Sequence, residues 1–133
     1  MKPPVGVLPD TVVAVQEQLL AAFGGASGVR DAGLLESALA RPVNRLAYER
    51  TAVTLFNLAA ACAFGLAKNH PFVDGNKRIA FATAIVFLEL NGYRFEAGEA
   101  EAVIQTLALA AGELKENEYA QWLKINSKRT PRI

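Results

Sequence analysis

The residues of this chain that can do chemistry are concentrated in one stretch, residues 68–78, which reads KNHPFVDGNKR. It contains the only histidine of the protein. Between His70 and Arg78 it places an imidazole, a carboxylate, a glycine, an amide and two cations. Apolar runs flank it at 52–67 and 79–90, so the stretch is predicted to join two buried helices.

Gly75 and Asn76 stand where this polar stretch gives way to an apolar helix. Glycine adopts a positive φ at little cost, so the backbone can curl and aim successive N–H groups at one point. The following helix adds its unpaired N–H groups and the positive end of its dipole. The sequence therefore predicts an anion site of the kind that binds phosphate, with Asn76 both capping the helix and shaping the loop.

Lys77 and Arg78 fall on the first turn of that helix, where the dipole disfavours cations unless an anion is bound. Arginine grips phosphate oxygens through a planar fork, and lysine acts as a point charge. We therefore expect both to bind the phosphates of a nucleotide and Arg78 to act in the reaction as well. A surface ion pair is the alternative role.

Asp74 and His70 are the titratable groups beside the predicted anion site. A carboxylate there would repel bare phosphate, so Asp74 is expected to hold Mg²⁺, which bridges carboxylates and substrate phosphates. Capping of the next helix is the alternative for Asp74. His70 has an unperturbed pKa of roughly 6.5 and suits a general base, although a lone histidine is more often structural. Phe72 is expected to anchor the loop in the core.

Residues 70–78 resemble the signature of the Fic/Doc family, His-x-Phe-x-(Asp/Glu)-Gly-Asn-(Gly/Lys)-Arg, with each fixed position filled. Lys77 after Asn76 is similar to the Doc (death-on-curing) branch. The resemblance covers about residues 8–123 and includes segments 23–25, 28–31, 34–39, 87–93 and 112–114. It implies an all-α, compact helical bundle of about six helices.

The resemblance also implies a reaction. Members of the Doc branch transfer the γ-phosphate of ATP to a Thr or Ser hydroxyl of elongation factor Tu and so stop translation. By this resemblance, His70 would deprotonate the hydroxyl and Asp74 would hold Mg²⁺. The residues that would bind the phosphates are Gly75, Asn76, Lys77 and Arg78. The chain is thus expected to be a protein kinase on an unrelated fold.

Two departures from the AMP-transferring Fic pattern bear on the reaction. Lys77 replaces a second glycine, and Phe81 stands where those enzymes carry a second arginine that helps to hold the far phosphates. Their combination favours a reversed nucleotide that presents its γ-phosphate. Two alternatives stay open: a nucleotidyl transferase that moves AMP or UMP, and a catalytically idle module that only binds an antitoxin or contributes to repression of its own operon.

The activity of a toxin of this kind must be inhibited, and the sequence has no clear Ser/Thr-x-x-x-Glu-(Gly/Asn) inhibitory helix. The resemblance therefore implies a toxin–antitoxin pair. The partner would be a small Phd-like antitoxin whose disordered C-terminal segment folds as a helix into a groove of this domain.

The other elements are read from apolar spacing, caps and breakers. Residues 1–133 are expected to form one domain, with flexible ends at 1–8 and 127–133 and a short extended link at 93–95. Helices are predicted over Pro9–Phe23, Ala32–Arg41, Thr51–Lys68, Asn76–Leu90, Gly98–Leu109 and Lys115–Asn126. Pro42 is expected to end helix 2, and Thr51 to cap helix 3. Between these helices, Pro42–Arg50 forms either a flap that pairs with the main chain of the target or a plain connecting loop.

Composition limits the other classes of function. The net charge is +1, so no global field favours nucleic acid or a membrane surface, and the basic tail is interpreted as solvated. The apolar runs are shorter than the roughly 20 residues that span a bilayer. The single cysteine, Cys62, cannot form an internal disulfide and is interpreted as a core thiol. We therefore expect a cytoplasmic protein without a membrane partner.

Overall fold

The computed structural model describes residues 4–49 and 52–130, which form six helices and one two-stranded antiparallel sheet. The helices are α1 (Pro9–Phe23), α2 (Ala32–Tyr48), α3 (Leu55–Asn69), α4 (Asn76–Leu90), α5 (Glu99–Ala111) and α6 (Glu116–Ile125). The strands are β1 (Tyr93–Phe95) and β2 (Ser127–Arg129). The predicted helical bundle is confirmed. None of the helices in the described ranges combines the length and apolarity needed to cross a bilayer.

Helix α3 lies at the centre of the bundle, with α2, α4, α5 and α6 packed around it. Most of its residues are small and buried, which lets its neighbours approach closely. It begins later than predicted, because Thr54 and Asn57 form a reciprocal capping box with backbone contacts of 3.1 and 3.0 Å. The predicted cap, Thr51, lies outside the described residues.

The sequence predicted that Pro42 would end helix α2. This prediction is wrong, because α2 continues to Tyr48. Proline removes one helical hydrogen bond, yet contacts on both sides hold this helix in place. Arg41 donates to the Ala61 carbonyl of α3 at 3.3 Å, and Arg45 pairs with Glu116 of α6 at 3.0 Å. Residues 42–48 are therefore neither a flap nor a loop, and Arg50 lies outside the described residues.

Both ends of the described chain contact the region that follows α4. Strand β2 pairs with β1 in the register Tyr93–Arg129 to Phe95–Ser127, so residues 127–129 are not a loose tail. Near the other end, the Val5 N–H donates to the Asn91 side chain at 2.7 Å, and Asn91 donates back to the Val5 carbonyl at 2.9 Å. Residues 1–3 and 131–133 lie outside the described ranges.

An aromatic cluster closes the bundle where α4, β1 and α6 meet. Trp122 packs edge-on against Phe95 at 5.1 Å between ring centroids, and it also contacts Phe81 and Tyr119. Its indole N–H donates to Glu101 of α5 at 2.7 Å. Trp122 is thus a packing anchor where α4, β1 and α6 meet.

Candidate active site

His70 ends α3 and opens the loop that leads to α4. It is exposed and has a φ of 50°, which makes it the only described non-glycine residue with a positive φ. The left-handed conformation costs a residue with a side chain about 1–2 kcal/mol. Within the described residues, the imidazole makes no hydrogen bond and is exposed to solvent, so it is accessible to a substrate.

Arg30 holds the backbone at this point. Its Nε donates to the His70 carbonyl at 2.8 Å, and its Nη2 donates to the Asn69 carbonyl at 3.0 Å. A cation suits these orphan carbonyls at the negative end of the α3 dipole. The backbone N–H groups of Arg30 and Asp31 also donate to the Pro71 carbonyl, at 2.7 and 3.0 Å. Arg30 therefore offsets the backbone cost at His70 and fixes the direction in which the chain leaves α3.

Phe72 is buried, at 1% exposure, and anchors the loop as predicted. The Asn76 side chain holds it in place: the Phe72 N–H donates to Asn76 Oδ1 at 2.9 Å, and Asn76 Nδ2 donates to the Phe72 carbonyl at 3.0 Å. Asn76 thus shapes the loop as expected. It does not cap the helix, because Gly75 is the N-cap residue, with a φ of 77°. Only glycine takes that conformation without cost, which explains its place here.

The first turn of α4 forms the predicted cradle of donors. Among the described residues, the backbone N–H groups of Asn76, Lys77 and Arg78 have no protein acceptor. The side chains of Lys77 and Arg78 are exposed, and neither forms an ion pair within residues 4–49 and 52–130. Free N–H groups, the helix dipole and two unpaired cations coincide at this turn, which suits a phosphate group. That these residues bind a nucleotide stays a prediction.

Asp74 lies beside this turn and is exposed. Its Oδ1 accepts the Gly75 N–H at 2.8 Å, and its Oδ2 accepts the Ala26 N–H at 3.4 Å. Gly25 is so close that an added Cβ would lie 2.8 Å from Oδ2. The described residues contain no group of three or more acidic, histidine or cysteine side chains that would hold a metal unaided. One exposed carboxylate beside a phosphate cradle nevertheless fits Mg²⁺, which takes its other ligands from phosphates and water.

Arg78 extends toward α1, where its guanidinium lies 4.1 Å from the ring centroid of Phe23. A stacked guanidinium keeps its N–H donors in its own plane, available to an anion. Beyond this pair, a cavity of about 380 Å³ runs between α1, α4 and α5. Its lining is mostly apolar and includes Phe81 and Leu107, with Lys77 and Arg78 at its edge.

Sequence reasoning missed three residues that shape this site: Gln16, Phe23 as the partner of Arg78, and Arg30 as the clamp on His70. Gln16 had a visible signal. It lies four residues after Val12 and three before Leu19, so it interrupts the apolar face of α1. The contacts of Arg30 had no such signal, because they join positions 40 residues apart.

The fold and the site together define a class of protein. The profile of the Fic/DOC family matches residues 7–88, and the chain belongs to this family. It is 44% identical to Toxin Doc of Mycolicibacterium smegmatis over 95 residues, which cover 65% of this chain and 70% of that protein. It is 31% identical to Protein kinase doc of Escherichia phage P1 over 119 residues, which cover 89% of this chain and 92% of that protein. The predicted membership of the Doc branch is confirmed.

Proposed function

We propose that this protein is the toxin of a toxin–antitoxin pair and transfers the γ-phosphate of ATP to a Ser or Thr hydroxyl of a translation factor. The observation that carries the proposal is the loop after α3. It presents an exposed imidazole, followed by a helix turn with three N–H groups and two cations that have no partner in the part of the chain that the structure describes. The relatives named toxin and protein kinase support the same activity. By family resemblance, the factor is elongation factor Tu.

In the proposed step, an imidazole nitrogen of His70 takes the proton of the target hydroxyl. The hydroxyl oxygen then bonds to the γ-phosphorus, the bond from phosphorus to the β–γ bridging oxygen breaks, and ADP leaves. Lys77, Arg78 and the first-turn N–H groups neutralise the charge that develops on the phosphate oxygens. Asp74 would hold Mg²⁺, which when bound would supply further neutralisation of the phosphates.

Phe81 supports γ-phosphate transfer over AMP transfer. It is half-buried and packs against Phe95, at 5.5 Å between ring centroids, and against Trp122 at 6.3 Å. An apolar ring fixed in this cluster offers no charge for the far phosphates of a nucleotide. The only cations that α4 itself carries are Lys77 and Arg78. They favour the terminal phosphate in the first-turn cradle.

We further propose that the main chain of the target pairs with Val29. Val29 and Phe72 form an isolated antiparallel bridge, flanked by bonds from the Val73 N–H to the Gly28 carbonyl and from the Arg30 N–H to the Pro71 carbonyl. In such a pair, the N–H and C=O of Val29 face away from Phe72. Val29 is 38% exposed, so an extended peptide can add to this edge next to His70. The docking edge would thus lie between α1 and α2 rather than at residues 42–50.

The cavity between α1, α4 and α5 suits the antitoxin. Its rim exposes Phe23, Val103 and Leu107 at 44–51%, an apolar strip that a helix can cover. Lys77 and Arg78 at its edge favour a segment that carries carboxylates, and such a segment would also block the phosphate cradle. A Phd-like antitoxin whose C-terminal segment is an acidic, amphipathic helix meets both conditions.

Transfer is tested with ATP labelled either at the α- or at the γ-phosphate, incubated with the protein, Mg²⁺ and purified elongation factor Tu. His70→Ala serves as the inactive variant, and Lys128→Ala, which changes an exposed cation far along the chain, serves as the matched control. We expect label from the γ position only, lost in His70→Ala and retained in Lys128→Ala. Label from the α position would instead show nucleotidyl transfer. No label from either position, in the factor or in a whole lysate, would favour the idle module.

The antitoxin site is tested with Leu107→Glu, which places a carboxylate in the apolar strip without touching the loop after α3. We expect phosphate transfer to stay at the level of the unmodified protein while the antitoxin no longer suppresses it. Glu113→Gln, an exposed change beyond the end of α5, should leave suppression intact. Normal suppression of Leu107→Glu would place the antitoxin elsewhere.

A further inference from the structure

Gln16 is a buried carboxamide that the chemistry above does not use. It is 2% exposed, in the middle of α1, and buried amides must be hydrogen-bonded to offset their lost hydration. Within the described residues, all hydrogen bonds of its side chain are to backbone groups of two loops. Its Oε1 accepts the Gly28 N–H at 3.3 Å, and its Nε2 donates to the Gly28 carbonyl at 3.3 Å and to the Asp74 carbonyl at 3.5 Å.

These contacts place Gln16 where three segments meet: α1, the α1–α2 loop and the loop that carries the site. Gly28 has a φ of 122°, and its carbonyl also accepts the Val73 N–H at 3.0 Å. One side chain thus holds both polar groups of Gly28 and reaches the residue that follows Val73. Gln16 therefore fixes the distance between Asp74 and the exposed backbone edge at Val29.

The contact with Asp74 has a directional consequence. The Asp74 carbonyl and the Gly75 N–H belong to one planar trans peptide, in which C=O and N–H point in opposite directions. Gln16 holds the carbonyl on the core side, so the Gly75 N–H is turned away from the core. It bonds to the Asp74 carboxylate there, at 2.8 Å, next to the first turn of α4.

We infer that Gln16 is a positioning residue for phosphate transfer: from inside the core, it orients the Asp74–Gly75 peptide, and through the Gly75 N–H, which bonds to the Asp74 carboxylate, it sets the position of that carboxylate beside the first turn of α4. This inference rests on the proposed function. Gln16 touches neither substrate nor metal and acts through these two residues. A small misplacement of groups that contact a transferred phosphate is costly, since about 1 Å can lower the rate on the order of 100-fold.

The test uses Gln16→Met, which keeps the length of the side chain and removes its donors and acceptor. Gln18→Met is the matched control, because it makes the same change at an exposed position of the same helix. Leu123→Val, in the core of α6, reports the effect of lowered stability alone. Two quantities are measured: amide hydrogen exchange and NMR shifts at Gly28 and Gly75, and kcat and the KM for ATP.

For Gln16→Met we expect exchange at Gly28 to rise about tenfold or more, the Gly75 amide signal to shift, and kcat to fall about 10- to 100-fold with little change in KM. Neither control should show these changes. Unchanged signals at Gly28 and Gly75, or a fall in kcat no larger than that of Leu123→Val, would overturn the inference. If the unmodified protein transfers no phosphate, the proposed function fails separately, and the two amide signals still decide whether Gln16 orients this peptide.

Discussion

His70 combines a free imidazole with a backbone conformation that its residue type disfavours. Such a cost persists where the surrounding structure enforces it and where function benefits, and here Arg30 enforces it. The left-handed turn directs the chain out of α3 sharply enough for Phe72 to reach the core. The imidazole is thus placed by the backbone of His70 and by a side chain from another loop.

We predict that His70→Gly will be inactive but more stable than His70→Ala, by about 1 kcal/mol. Both variants lack the base, whereas only glycine removes the left-handed cost. The free energy of unfolding is to be measured by urea denaturation, and transfer with γ-labelled ATP.

Activity in either variant would contradict the role of His70 as the base. Equal stability of the two variants would show that the φ of 50° carries no cost in the folded protein. A third variant, Arg30→Gln, keeps the imidazole but removes the guanidinium contacts with the His70 and Asn69 carbonyls. We expect it to lower the rate of phosphate transfer.

The residues at 70–78 could be predicted from the sequence because their chemistry is local: order and spacing alone put Gly75, Lys77 and Arg78 at one helix start. The roles of Gln16 and Arg30 could not, since their contacts with the loop after α3 join positions 39 to 58 residues apart in the chain. Their hydrogen-bond partners are backbone groups, which any residue carries, so the sequence of the partner segment shows no pattern.

At the scale of elements, α3 depends on a close approach to α2. An added Cβ at Gly65 would lie 2.9 Å from the Cα of Ala38 and 2.8 Å from the Cδ of Arg41. The backbone atom cannot move aside without shifting α2. This contact explains a glycine in the middle of a buried helix, where it otherwise costs about 1 kcal/mol relative to alanine.

We predict that Gly65→Ala will destabilise the protein by about 1–3 kcal/mol despite the better helix propensity of alanine, because the two helices must separate. Urea denaturation measures the change in the free energy of unfolding. Gly6→Ala is the control, since an added Cβ there meets nothing within 4 Å. A Gly65→Ala protein as stable as the unmodified one would mean that α2 shifts freely.

The sequence predicted the helices well where spacing and caps agree, as in α1 and α4, and failed where distant contacts decide. Proline normally ends a helix, but the ion pairs of Arg45 extend α2 past Pro42. Strand β2 reads Ser-Lys-Arg, which has no apolar alternation, and it forms only because β1 supplies a partner. Neither outcome is visible in a local window of residues.

At the scale of the whole molecule, two buried acids make stability depend on alkaline pH. Burial raises the pKa of the Cys62 thiol from its ordinary value of 9.0 to about 12. Burial likewise raises the pKa of the Tyr119 hydroxyl from 10.0 to about 12, against a hydrogen bond with Thr106 that lowers it. The folded protein therefore keeps both protons at a pH where the unfolded chain releases them.

We predict that the free energy of unfolding will fall as the pH rises from about 9 toward 12, with a slope of at most about 1.4 kcal/mol per pH unit for each group. The sign follows because the folded state then binds more protons than the unfolded state, and the stability is fully present below pH 9. Urea denaturation at a series of pH values measures it. In Cys62→Ala and Tyr119→Phe the fall should be smaller, and an unchanged slope in both would contradict the assignment.

The turn between α4 and β1 gathers both ends of the described chain. The backbone of Val5 is hydrogen-bonded to the side chain of Asn91. The Thr130 N–H donates to the carbonyl of Gly92, which follows Asn91 in the chain, at 2.8 Å. Residues 5 and 130 are therefore close neighbours, and a short Gly/Ser linker can join them. The protein is thus suited to circular permutation, with new termini opened in the α1–α2 loop. A permuted chain opened there would carry Gly28 near its new N-terminus and Gln16 near its new C-terminus, so that their contact would form only when both new ends fold together.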